Sequence, residues 1–153
     1  TAQSGFYAVK TSGQTLSINQ AVIFNSATEN IGSDYNTSTG VYTAPYSGFY
    51  VFAYTVLFSG IPNDFDFDHY LGTSNRNYIG GMPGRIRYLN SAATSWGDNY
   101  IALGHTQIAY MDANDTAYVY FSALRNSSNV NTTASVYANA SNNWTKFSGY
   151  FLG

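Results

Sequence analysis

Apolar side chains recur with a period of two along much of this chain, and no long segment shows the three-to-four spacing of a helix. The densest run lies between Phe49 and Phe58. As an extended strand it carries Phe49, Val51, Ala53, Thr55 and Leu57 on one face and Tyr50, Phe52, Tyr54, Val56 and Phe58 on the other. Both faces are apolar. An antiparallel strand with one wet face would alternate, so this one is expected to be covered twice, by a core on one side and by a neighbouring subunit on the other. Tyr100 to Met111 and Ala117 to Leu124 repeat the theme, joined by Asp112-Ala113-Asn114-Asp115, a run of turn formers that reads as a hairpin connection. In the second of these segments Val119 and Phe121 oppose Tyr118 and Tyr120, and Tyr suits an interface because its ring buries area while its hydroxyl still finds a partner. The pattern predicts an all-β sandwich or barrel.

Composition narrows the function. The 153 residues fit a single domain spanning 1–153. Only 9% of residues are charged and 18% are aromatic, so little surface charge keeps copies apart. With a net charge of −2 and no basic run, nucleic acid is not an expected partner. There is no cysteine, so stability must come from packing and association. No apolar run approaches the roughly 18 residues that span a bilayer, so membrane insertion is not expected. The first residues lack the charged and apolar regions of a signal peptide, which, if made, has been removed. Secretion is argued instead by Asn-x-Ser/Thr triplets at Asn36, Asn114, Asn126, Asn131, Asn139 and Asn143, acceptor sites in a glycosylating compartment, although an Asn/Ser/Thr-rich chain also makes such triplets by chance. Four of the six lie between Asn126 and Asn143, a tract that reads as exposed loops around one short strand near Ala134 to Tyr137.

The spacing of particular residues resembles one family. Phe24, Asn30, Tyr35, Tyr42 and then Gly48-Phe49-Tyr50-Val51-Phe52-Ala53-Tyr54 resemble the signature of the globular head domain of complement C1q and its tumour-necrosis-factor-like relatives, with Tyr42 where that family usually has Phe. Ser4 to Lys10 is similar to the family's opening strand, Ala21-Val22-Ile23-Phe24 to the short strand that follows, and Lys146 to Leu152 to the closing strand. The segment from Ile61 to Gly97 matches poorly, and it is there that family members differ in what they bind. The resemblance implies a jelly-roll β-sandwich, a homotrimer and ligand binding without catalysis. No Gly-X-Y repeat precedes the domain, so a head-only or excised head is expected, and head-only members are often invertebrate immune lectins.

Candidate sites are fewer. Asp64-Phe65-Asp66-Phe67-Asp68-His69 sets three carboxylates along one face of a strand, about 7 Å apart. Two roles fit them. Arg85-Ile86-Arg87 offers the same period with cations, so the segments can pair through an Asp–Arg ladder, or the carboxylates can hold Ca²⁺. Some family heads bind calcium in the loop that corresponds to Asn90–Asn99, where Asp98 is the single carboxylate. Trp96, beside Asp98 and Asn99, is either a platform for a sugar ring with hydrogen-bonding neighbours or a lid on the core. Trp144, next to Asn142 and Asn143, faces the same choice and leans toward packing. Arg76, Arg85 and Arg87 are candidates for an acidic ligand such as a sialic acid carboxylate, in competition with salt bridges to the Asp row.

Enzyme readings find little support. Neither His69 nor His105 is followed by another ligand at metal spacing, no Gly-x-Ser-x-Gly is present, and the single glutamate, Glu29, lies in a framework segment. The expected function is that of a secreted, non-catalytic module recognising carbohydrate or another surface pattern in innate immunity. A structural or adhesive trimer and a receptor-binding ligand of the tumour-necrosis-factor kind are the alternatives.

Overall fold

A computed structural model describes residues 3–61, 65–80, 100–126 and 128–153, and the backbone of 84–86. The described strands form two antiparallel sheets. The first contains β1 (Gly5–Val9), β2 (Gln14–Leu16), β3 (Ser26–Ile31), β6 (Gly48–Ser59), β10 (Ile101–Met111), β12 (Ala134–Val136) and β13 (Lys146–Phe151). The second contains β4 (Tyr35–Asn36), β5 (Val41–Thr43), β7 (Phe65–Thr73), β8 (Asn77–Ile79), β9 (Gly84–Ile86) and β11 (Thr116–Arg125). Strand β6 lies at the centre of the first sheet. Along one edge it pairs with β10 from Gly48↔Met111 to Phe58↔Ile101, and along the other it pairs first with β13 and then with β12.

The alternation read in β6 resolves into two distinct faces. Tyr50, Phe52, Tyr54, Val56 and Phe58 are buried between the sheets, whereas Phe49, Val51, Ala53, Thr55 and Leu57 point outward, exposed or half-buried. The buried face packs into an aromatic cluster in which the Phe6 ring stacks on Tyr35 at 4.5 Å and Tyr42 at 5.1 Å and meets Phe147 edge-on at 4.8 Å. Each such pair contributes roughly 0.5–1.5 kcal/mol beyond its buried area. Tyr42 also uses its hydroxyl, 2.6 Å from the Ser4 hydroxyl, which in turn donates to Asp34 at 2.5 Å. The tyrosine at this position thus ties β5 to the start of the first strand by a polar contact that phenylalanine could not make, while Ser4 ties that strand to the turn before β4.

Three readings of the sequence change. Residues 21–24 are not a strand: Ala21 forms one isolated bridge to Tyr120, the Val22 N–H donates to the Val119 carbonyl at 2.8 Å, and the backbone beyond is held by side chains. Gln14 accepts from the Ile23 N–H at 3.0 Å, Lys10 donates to the Ile23 carbonyl at 2.6 Å, and the Tyr35 hydroxyl contacts both backbone groups of Phe24. With these groups satisfied, no ladder is needed. Burial lowers the Lys10 pKa to about 8. Secondly, Asp112–Asp115 is a tight turn, with Asn114 at φ 74°, but not a hairpin, because β10 belongs to the first sheet and β11 to the second. The cause is local: Ala44 accepts from the Asn114 N–H at 2.7 Å and donates to the Asp115 carbonyl at 2.8 Å, which turns the chain across the sandwich. Thirdly, His105 lies on a half-buried position of an edge strand and not in a fully buried one.

The Asp-bearing segment is strand β7 from Phe65 onward, with Phe65 and Phe67 in the core. It pairs with β9 so that Asp66 faces Arg85, and with β11 so that Asp66 also faces Arg125. Further along β7, His69 joins the sheets: its Nδ1 lies 2.7 Å from the Tyr54 hydroxyl of β6. Gly80 covers the pair, and a Cβ there would collide with both groups. Burial, and secondarily the charge of His105, lowers the His69 pKa from 6.5 to about 4. The unfolded chain therefore binds a proton near pH 6.5 that the folded chain refuses until near pH 4, so stability is complete above 6.5 and falls as the pH drops toward 4. Urea midpoints should fall between about pH 6.5 and 5, above the range of ordinary carboxylates, and His69→Gln should flatten that fall.

Candidate functional site

The outward face of the first sheet changes character along its length. At one end Phe49 and Ile108, 53% and 55% exposed, stand beside Tyr110, Tyr150 and Leu152, with the Phe49 and Tyr110 rings 5.4 Å apart. In the middle, Ala53 lies between Thr106 and Ser148, and a polar groove of about 650 Å³ opens there, bordered by Tyr7, Gly104 and Lys146. At the far end, past Thr55 and Leu57, is a second cleft of about 680 Å³ walled by Tyr100, Tyr137 and Trp144.

The aromatic cleft is built by the connection from β12 to β13. Tyr137 continues the pairing of β12, its N–H donating to the Leu57 carbonyl at 2.7 Å. Buried Thr145 fixes the other end: its hydroxyl donates to the Tyr137 carbonyl at 2.8 Å and accepts from the Leu57 N–H at 3.1 Å. Between them Asn139 accepts from the Ser141 N–H at 2.8 Å, and Asn143 takes a left-handed φ of 46° that asparagine tolerates. This short loop presents Trp144, 47% exposed, stacked on Tyr137 at 5.8 Å and 27°, while Tyr100, 38% exposed, meets Tyr137 edge-on at 5.2 Å. Asn142, Asn143 and Lys146 rim the cleft, and Leu57 and Ala102 lie at its base.

The chemistry follows from the lining. Ring faces carry partial negative charge and attract polarised C–H groups, and they lose water readily. Asn142 and Asn143 supply amide donors and acceptors, and Lys146 a donor with positive charge. Among the described residues no carboxylate lines the cleft. The fitting ligand has a flat C–H face and a hydroxylated edge.

Sequence candidates fall on both sides of this picture. Trp144, Asn142 and Asn143 are in the cleft, and Trp144 is a half-exposed wall rather than core packing. Arg76 belongs to the turn after β7, on the second sheet, where its carbonyl accepts from the Thr73 N–H at 2.8 Å. Asp66 and Asp68 are on β7 and Arg85 on β9, also in the second sheet. Asp64, Arg87, Trp96, Asp98 and Asn99 lie outside the described residues. Among the described residues no group of three metal-ligating side chains is placed to hold an ion. Of the acceptor asparagines, Asn36, Asn114, Asn131 and Asn143 are exposed and Asn126 and Asn139 half-buried. Tyr100, Tyr137 and Lys146 were not singled out as site residues from the sequence. Their positions at strand ends, next to asparagine-rich loops, were the available signal.

Comparison with known proteins places this geometry. A model of the C1q domain matches residues 5–77. The globular domain of zebrafish complement 1qA superposes with a TM-score of 0.68 at 10% identity, covering 99% of this chain and 98% of that one. The chain has the jelly-roll fold of that globular domain. Murine APRIL at pH 5.0 gives a TM-score of 0.64 at 12% identity over 99% of this chain and 100% of that one. Eiger TNF from S. frugiperda gives 0.61 at 12% identity over 99% and 92%. A sequence comparison with curated proteins returns no match. The C1q-like framework therefore accounts for the sandwich, and at these identities the solved structures speak for the fold alone. In the described part of the chain no helix is long and apolar enough to cross a membrane.

Thr145 is the residue on which the cleft's shape depends. Thr145→Val should leave the half-buried Leu57 N–H and the Tyr137 carbonyl without their shared partner and cost about 1–3 kcal/mol in urea unfolding. The same variant should shift the near-ultraviolet signal of the Tyr137–Trp144 stack.

Proposed function

We propose that this C1q-like chain is a secreted, non-catalytic recognition module, a single domain over 1–153, that assembles as a homotrimer and holds a saccharide in the Tyr100–Tyr137–Trp144 cleft. The observation that carries the reading is the half-exposed indole stacked on Tyr137 with two asparagine amides at its rim. Apolar area of this kind on a small cleft with few polar groups is what ligand sites offer. The fold supports a recognition role, since domains of the C1q and tumour-necrosis-factor type are recognition modules that act as trimers. The exposed row at Phe49, Ile108, Tyr110 and Leu152 supports association at the opposite end of the same face, leaving the cleft open. Three clefts on one particle would convert weak single-site binding into avidity for a glycan-bearing surface, as innate immune recognition requires.

A receptor-binding ligand is the second reading. It is favoured by a patch of tyrosines on the outward face of the second sheet, where Tyr70 and Tyr120 stack at 5.1 Å and 15° and Tyr118 lies 5.5 Å from Tyr120.

A glycan array probed with protein made in a non-glycosylating host separates the two. Selective binding is expected, weakened about tenfold or more by Trp144→Ala, the equivalent of about 1.4 kcal/mol, and largely kept by Trp144→Phe. Chelation should leave it unchanged, because no described residue of the cleft is a carboxylate; loss on chelation would point instead to Ca²⁺ at Asp64, Asp66, Asp68 or Asp98. A blank array from an intact, folded protein would contradict the saccharide reading and favour the receptor ligand.

A further inference from the structure

Asn143-Trp144-Thr145 is both an N-glycosylation acceptor triplet and the rim of the aromatic cleft. Of the six acceptor asparagines, Asn143 alone lines that cleft. It is exposed, and its loop is anchored at one end by Asn139 and at the other by buried Thr145, so its position relative to the next residue's indole is fixed. We infer that Asn143 is N-glycosylated and that the first sugars of its own glycan lie on Trp144 and Tyr137, closing the cleft to sugars in solution.

The attachment uses a lipid-linked oligosaccharide pyrophosphate as donor. Nδ2 of Asn143 bonds to C1 of the reducing-end N-acetylglucosamine, the bond from C1 to the pyrophosphate oxygen breaks, the amide gives up one proton and the lipid pyrophosphate leaves. The product places a pyranose one residue away from an exposed indole. A ligand held by so short a tether has an effective concentration in the millimolar range, so a stacking site with millimolar affinity for a free sugar is already about half filled by the tethered one. The glycosylated chain is then a partly closed form and the unglycosylated chain an open one. The inference rests on reading the cleft as a sugar-stacking surface, but its test reads the indole and not an external ligand.

The test compares three forms of the full chain: secreted from a glycosylating host, the same material treated with peptide N-glycosidase, and Asn143→Asp from the same host. Asp is chosen because it tolerates the left-handed backbone at this position. Mass spectrometry establishes occupancy at Asn143, and acrylamide quenching of tryptophan fluorescence reports access to Trp144, with Trp96 common to all three. Trp144→Phe in each background isolates the Trp144 component. The quenching constant of that component is expected to rise about twofold when the glycan is removed or never added, the change expected if half of the clefts are closed. An unmodified Asn143, or equal quenching with and without its glycan, would overturn the inference. If the glycan shields Trp144 while glycan-free protein binds no soluble sugar, self-occlusion stands and the lectin function falls.

Discussion

Everything in this molecule hangs on one strand that is hydrogen-bonded along both edges and apolar on both faces. Strand β6 pairs with β10 from Gly48 to Phe58 and with β13 and β12 in succession on the other side, so both edges are engaged. Its even-numbered residues must then be core. Tyr50, Phe52, Tyr54, Val56 and Phe58 supply the floor on which the second sheet packs. Its odd-numbered residues are left facing out with too little charge around them to make a good solvent surface. The fold and the proposed association are the two consequences of that single alternation.

On the buried side the packing is aromatic and tight. Phe6, Tyr35, Tyr42, Phe52 and Phe147 contact one another as stacked, tilted or edge-on rings, and Gly149 is small because a Cβ there would lie 2.6–2.7 Å from the Phe52 and Phe6 rings. Tyrosine carries polar groups into this core, and each finds a partner: Tyr35 the backbone of Phe24, Tyr42 the Ser4 hydroxyl, Tyr54 the His69 ring. Burial raises the pKa of all three tyrosines, so they stay neutral hydrogen-bonding groups at any physiological pH. A chain without cysteine can in this way fix the orientation of its sheets through polar contacts across the core.

Much of the framework was legible because period-two burial and turn residues are local signals. The two faces of β6, the short strand at Ala134–Val136 and the pairing of the Asp-bearing and Arg-bearing segments all follow from alternation or charge spacing. What was not legible depends on contacts between distant residues. Residues 21–24 look like a strand until Gln14, Lys10 and Tyr35 satisfy the backbone of Ile23 and Phe24, and Asp112–Asp115 looks like a hairpin until Ala44 draws the turn across the sandwich. The cleft is of the same kind. Tyr100, Tyr137 and Trp144 are ordinary aromatic residues in sequence, and they converge because Leu57 pairs with Tyr137 and Thr145 on one edge and Ala102 on the other.

In the proposed function the outward face of β6 links fold to activity, since the proposed cleft at one end gains avidity only if the other end gathers copies of the chain. Sedimentation equilibrium of the unmodified protein at micromolar concentration, beside Ile108→Asp, addresses this directly. Ile108 is exposed, so the aspartate should leave the fold and its circular dichroism intact. A trimer that the substitution converts to a monomer is expected. A wild-type protein that sediments as a folded monomer would contradict the role assigned to this face.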